Sequence, residues 1–151
     1  MARHPPYEEP EAHVAKKHLP GTWLVTVTRH DDNSVAQALT TFTSDHTVVE
    51  RAQPQLEGSL GVWEHGDAHD EFYFMFHRYS HNIVLIGPPG NPTSIAVPFD
   101  HTARLRARNT FTGPDSFTGT GAVDILDAAG DVVHPDALTT SHTAVRMTLV
   151  R

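Results

Sequence analysis

The chain has 151 residues, a formal net charge of −7, 38% hydrophobic residues and no cysteine. That length makes one domain with a sizeable core, and the acidic balance gives no field to recruit nucleic acid. Without cysteine there is no disulfide, thiolate nucleophile, iron–sulfur cluster or cysteine-type zinc site.

Met1 to Pro10 is polar and rich in proline, and reads as a tail. Glu9 to Leu19 predicts a short helix, with Glu8, Glu9 and Glu11 near its start and Lys16, Lys17 and His18 at its end, as the helix dipole prefers. Val14 and Leu19 are its apolar anchors. Residues 1–20 are thus expected to cap a single domain spanning 21–151. No long apolar run and no signal-type apolar segment occurs, so a soluble cytoplasmic protein with no membrane partner is expected.

Eight strand-like runs follow, rich in β-branched and aromatic residues. They are predicted at Gly21–His30, Ser34–Thr43, Thr47–Ala52, Ser59–His65, Glu71–Tyr79, Thr102–Phe111, Asp115–Leu126 and Leu138–Val150. Asp31-Asp32-Asn33, Ser44-Asp45-His46 and Gly113-Pro114 are turn signals. The second, fourth and sixth connections are short. In an up-and-down barrel they share one end, and the longer connections share the other, the mouth. Eight strands leave an interior for one small ligand. The fifth connection, residues 80–101, carries Ile83, Leu85, Ile86, Ile95, Val97 and Phe99 around a proline-rich turn. A loop beyond about 15 residues is uncommon in a compact domain. It reads as a lid over the mouth, or equally as a small hairpin completing the core or contacting a second copy in a homodimer.

If the first and last strands pair antiparallel, Trp23 and Arg146 meet at one end and close the barrel by cation–π attraction. Gly21-Thr22-Trp23 on the first strand with Arg146 on the last resembles the calycin superfamily, the lipocalins and their relatives, over about Gly21 to Val150. Gly61-Val62-Trp63 and Phe117-Thr118-Gly119-Thr120-Gly121 resemble small lipocalin-like proteins of high-GC bacteria. More distantly, Arg146-Met147-Thr148 is similar to the last strand of cofactor-free barrel cyclases of polyketide pathways, the spirotetronate-cyclase type. The chain departs from secreted lipocalins in lacking disulfides. The expected fold is all-β: an eight-stranded antiparallel up-and-down calycin-like barrel with a short N-terminal helix and a lid between strands five and six.

Alternation assigns the faces. Arg104, Arg106 and Arg108 face water, so Ala103, Leu105 and Ala107 face in. Phe117, Gly119, Gly121, Val123 and Ile125 also face in, the glycines leaving room for a ligand or easing a bend. Glu64 and Asp124 face water. Phe72, Phe74 and Phe76 are placed inside, which turns Arg78 inward near the mouth as an anion anchor or half of a structural ion pair. In the last strand, His142, Ala144 and Arg146 alternate with Val145 and Met147, and the sequence leaves that parity open.

The expected ligand site is Trp63, Phe72, Phe74, Phe76, His77, Leu105, Phe117, Val123, Ile125, Val145 and Met147 around a small hydrophobic molecule. Arg78, Tyr79 and His142 are the candidate catalytic donors. His65 and His69 straddle a turn and make no ligand set for a metal, which needs three or four convergent groups. No phosphate loop, nucleophile elbow or dinucleotide fingerprint occurs. The resemblance implies a cofactor-independent cyclase or isomerase folding an apolar polyketide-like intermediate, with no cofactor and no metal. The alternative is a non-catalytic lipocalin-like binding protein. A third reading is haem or metal binding, with His77 or His142 as the haem ligand.

Overall fold

The computed structural model describes residues 14–53, 58–79, 84–86, 94–96, 98 and 100–151. Helix α1 is Val14–His18. The strands are β1 (Gly21–Arg29), β2 (Val35–Phe42), β3 (Thr47–Ala52), β4 (Ser59–His65), β5 (Glu71–Tyr79), β6 (Val84–Ile86), β7 (Ser94–Ala96), β8 (Thr102–Gly113), β9 (Ser116–Leu126) and β10 (Val132–Arg146). Eight of them close a barrel in the order β1-β10-β9-β8-β5-β4-β3-β2, while among the described residues β6 and β7 form a separate two-stranded sheet. Every pairing is antiparallel. The predicted all-β, eight-stranded up-and-down barrel is therefore the fold, and closure leaves the barrel itself without an open edge.

The residue pattern explains the local geometry. Asn33 and His46 take left-handed φ values of 58° and 70° in the two predicted turns, where a polar residue tolerates that conformation best. The Asp127 carboxylate accepts backbone N–H bonds from Ala129 (3.0 Å) and Asp131 (2.9 Å), which shapes the β9–β10 turn. The last strand begins at Val132 rather than Leu138. Its ladder to β9 shifts register twice between Val132 and Leu138. Pro135 and Asp136, which read as loop signals, sit within this irregular stretch, and Asp136 takes a φ of 46°.

The helix, the β2–β3 turn and the β8–β9 turn share the closed end. Ala15 and Leu19 are fully buried there, so α1 plugs the barrel. The Trp23 indole N–H donates to the Leu19 carbonyl at 2.9 Å. The Arg146 guanidinium lies over the Trp23 ring, 4.5 Å from its centroid. It donates to the carbonyls of Pro20 (3.0 Å) and His18 and to the Asp115 carboxylate (2.8 Å). Gly21 makes this possible: its φ is 136°, and a Cβ there would stand 2.7 Å from the guanidinium. Trp23, Phe42, Phe72, Phe111 and Phe117 pack edge-on or tilted above the plug, with centroids 4.9–6.2 Å apart. Each such pair contributes about 0.5–1.5 kcal/mol beyond the apolar area it buries.

The fifth connection contains the β6–β7 hairpin, paired as Val84↔Ala96, Leu85↔Ile95 and Ile86↔Ser94. It leaves β5 and enters β8 at the mouth, where Tyr79 faces Thr102. For Leu85, Ile86 and Ile95 only the backbone is described; Ile83, Val97 and Phe99 lie outside the described residues, as does the predicted helix before Val14. Among the described residues no helix is long and apolar enough to cross a membrane.

Candidate functional site

The aromatic plug fills the barrel only part-way. Above it, toward the mouth, the lumen opens into a chamber of about 400 Å³. Its walls include Val27, Ala38, Phe76, Ala103, Leu105, Val123 and Leu138, with Arg29, Glu50, Arg78 and Thr140 among its polar groups. A narrower recess of about 40 Å³ continues inward between Val25, Thr40, Phe74, Thr140 and His142. Glu50, Phe76, Leu105 and Thr140 line both spaces, so the recess is the inner end of the chamber. A mainly apolar cavity of this size with a few polar groups is the ordinary form of a small-molecule site.

Arg78 enters the lumen as the β5 alternation predicts. Its guanidinium pairs with the Glu50 carboxylate at 2.6 Å and its Nε donates to Ser59 Oγ at 2.8 Å. Both side chains are largely buried, with 14% and 4% of their surface exposed. A buried ion pair of this kind offsets the cost of desolvating each charge, and breaking it leaves an uncompensated charge. Glu50 is an inward carboxylate that the sequence reading missed. Its neighbours Val48 and Val49 are both apolar, so alternation alone does not fix the parity of β3.

His142 sits deeper, on β10, and only 6% of it is exposed. Burial pushes its pKa down to about 4, so the imidazole is neutral at pH 7. Its Nε2 meets Asn109 Oδ1, and Asn109 Nδ2 lies 3.3 Å from the Phe72 carbonyl. A carbonyl only accepts, so Asn109 turns its NH₂ to Phe72 and its oxygen to His142. The proton of His142 is therefore on Nε2, which leaves Nδ1 as the acceptor of a ring that lines the recess. Asn109 was also missed, although extending the Ala103, Leu105, Ala107 alternation by one step would have placed it inside.

Gly119 and Gly121 leave room for neighbouring side chains rather than for a ligand. A Cβ on Gly119 would stand 2.4 Å from Asn109 Oδ1 and 2.7 Å from His142 Nε2; one on Gly121 would stand 2.8 Å from Thr140 Oγ1.

The expected lining residues divide into four groups. Phe76, Leu105 and Val123 face the larger chamber, and Phe74 and His142 the recess. Trp63, Phe72 and Phe117 belong to the packed core: Trp63 donates to the Thr43 carbonyl at 2.8 Å and stacks on His46 at 4.1 Å. Ile125 is fully buried against Ala103. His77, Tyr79, Val145 and Met147 lie on the outer face, with Tyr79, Val145 and Met147 exposed by 68%, 55% and 51%. The expectation that these four line the site is corrected by strand parity, since Phe76, Arg78, Ala144 and Arg146 take the inward positions.

Asp124 also departs from expectation. It lies on the outer face, yet only 2% of it is exposed, because Arg104 and Arg106 cover it at 2.9 and 2.8 Å. Burial alone would raise its pKa; bonds from Arg106, the Asp136 backbone N–H and Arg104 outweigh that and hold it at about 2. A broad concavity of about 720 Å³ beside it, lined by Val62, Tyr73, Met75 and Ala122, is an open outer surface and not part of the lumen.

Among the described residues no cluster of three or more His, Asp or Glu is placed to hold a metal ion. His77, on the outer face, does not reach the lumen, and the recess beside His142 is too narrow for a haem macrocycle.

Fold and cavity together define a closed eight-stranded antiparallel barrel with an interior chamber. The sequence matches no protein-family model and no curated protein. Among solved structures, one described as a redesigned beta barrel aligns with 93% of this chain and 100% of its own, at 19% identity and a TM-score of 0.49. The barrel assignment rests on the strand pairing itself.

Proposed function

We propose that this protein binds a small, mainly apolar molecule inside its barrel, in the manner of lipocalin-like binding proteins. The observation that carries this reading is the apolar chamber of about 400 Å³ above the aromatic plug. The Trp23–Arg146 closure supports a calycin-like relationship, since it is the pairing that the Gly-x-Trp resemblance implies. The β6–β7 hairpin, which starts and ends at the mouth, is suited to serve as a lid. The test is native mass spectrometry of the freshly purified protein with organic extraction, followed by titration with apolar fluorescent probes. One probe bound per chain, lost in Ala38→Phe, is the expected outcome. Ala38 lines both parts of the lumen, so a ring there fills it. Binding unchanged by Ala38→Phe would place the ligand elsewhere.

A second reading is a cofactor-independent cyclase or isomerase acting on an apolar, polyketide-like intermediate. Glu50, Arg78 and the neutral His142 favour it, because they set ionic groups and an imidazole acceptor around one enclosed space. Holding reacting ends close supplies up to about 7–11 kcal/mol without any cofactor. Turnover of linear polyenes that is lost in Glu50→Gln or His142→Gln, with binding retained, is the result that separates enzyme from carrier.

A further inference from the structure

We infer that the inner end of the lumen recognises a hydrogen-bond donor on an uncharged ligand, an alcohol or phenol hydroxyl, rather than a carboxylate. This deepens the lumen-binding reading and rests on it.

The recess is lined by four polar side chains, Thr40, Glu50, Thr140 and His142. Thr40, Thr140 and His142 are 2%, 4% and 6% exposed. Neither threonine hydroxyl forms a side-chain hydrogen bond with a described residue, and His142 bonds only through Nε2. None of these three residues has a polar atom that is both sealed from solvent and unpaired, so each one without a protein partner reaches the open recess and can bond a group that enters it.

The chemistry of those atoms selects the partner. With its proton on Nε2, His142 offers only the Nδ1 lone pair, an acceptor. Glu50 lines the same recess, and its carboxylate is also an acceptor. The two threonine hydroxyls both give and accept. A carboxylate entering here would face the lone pairs of Glu50 and His142. The two arginines of the chamber do not offset this, because Arg78 is matched by Glu50 and Arg29 by Asp31, each at 2.6 Å. An ammonium fares no better: the Glu50–Arg78 pairing leaves no net negative charge to offset its desolvation. A hydroxyl donates to one acceptor and accepts from a threonine. At about 40 Å³, the recess is on the scale of a small polar group and not of a ring. The apolar body of the ligand then fills the chamber between Phe76, Leu105 and Val123.

The test is calorimetric titration of the protein at pH 7 with 4-propylphenol, propylbenzene and 4-propylbenzoate. The phenol is expected to bind about tenfold more tightly than propylbenzene, the effect of one net hydrogen bond, with the benzoate weakest. Thr140→Val should erase most of that preference. On the unaltered protein, the His142 Nδ1 nitrogen resonance should move with the phenol and not with propylbenzene. Equal binding of phenol and propylbenzene would mean that ordered water already satisfies the recess, and the inference would fall while the lumen reading stood. Tightest binding of the benzoate would overturn it in favour of Arg78 as an anion anchor. No binding of any of the three would count against the lumen reading itself.

Discussion

The Arg146 guanidinium covers the Trp23 ring at 4.5 Å and at the same time ties β10 to the carbonyls of His18 and Pro20 behind α1. One side chain thus joins the first strand, the last strand and the capping helix. Lysine keeps the charge but has no planar fork to reach two carbonyls and Asp115 together. Arg146→Lys should therefore cost about 1–3 kcal/mol through the lost charge-assisted bonds. Thermal denaturation should show a Tm lower by roughly 2–10 °C, with binding in the lumen intact.

The Glu50–Arg78 pair makes a different kind of prediction. Removing one partner leaves a buried charge, so Glu50→Leu or Arg78→Leu alone should destabilise by about 3–5 kcal/mol. The double variant should recover much of that loss. Urea denaturation of the four proteins as a double-mutant cycle measures it. Additive single losses would mean that the pair is not coupled.

Gly119 tests the support of His142. Alanine there brings a methyl within 2.4 Å of Asn109 Oδ1 and of the Arg108 carbonyl. The backbone contact cannot yield easily, so Gly119→Ala should destabilise by about 1–3 kcal/mol. It should also change the environment of the His142 ring, visible in its proton resonances.

These sites show which parts of the structure the sequence carries. Strand alternation is informative where the two faces differ in chemistry: Arg104, Arg106 and Arg108 against Ala103, Leu105 and Ala107 leave one solution, and the structure adopts it. The Trp23–Arg146 plug was legible for the same reason, since pairing of the terminal strands dictates it. The β10 parity was not, because its outward Val145 is more apolar than its inward His142. Only the Asn109 partner, 33 residues away in sequence, makes a buried imidazole acceptable there. Glu50 was hidden because its compensation by Arg78 is likewise a long-range fact. Placing Phe72, Phe74 and Phe76 inside already sends His77 and Tyr79 outside, so chemistry at Tyr79 was incompatible with the strand that carries it.

Thr140 separates ligand recognition from stability. Its hydroxyl makes no side-chain bond to a described residue and is not sealed from solvent. Thr140→Val keeps the shape and should change stability by no more than about 0.5 kcal/mol, a Tm shift of at most roughly 2 °C. A hydroxyl that served the fold would show as a clear loss.

His142 predicts how stability follows pH. Burial lowers its folded pKa from 6.5 to about 4, so between those values the unfolded chain binds a proton that the folded chain refuses. The contribution of this residue is fully present above about pH 6.5 and is lost as pH falls toward 4. The shift corresponds to about 3 kcal/mol. The Glu50 carboxylate lines the same recess but is matched by Arg78, so it gives His142 little help in holding a proton. Asp124 acts in a separate, lower window: its pKa of about 2 against an ordinary 3.8 means that its contribution disappears only as pH falls through that interval. Urea midpoints measured from pH 7.5 to 4.5 should therefore fall steeply in the native protein. They should fall less in His142→Gln, whose amide N–H can still donate to Asn109 and does not titrate. Equal slopes in the two proteins would mean that the imidazole takes up its proton in the folded barrel, and that the lumen is more accessible to water than its burial implies.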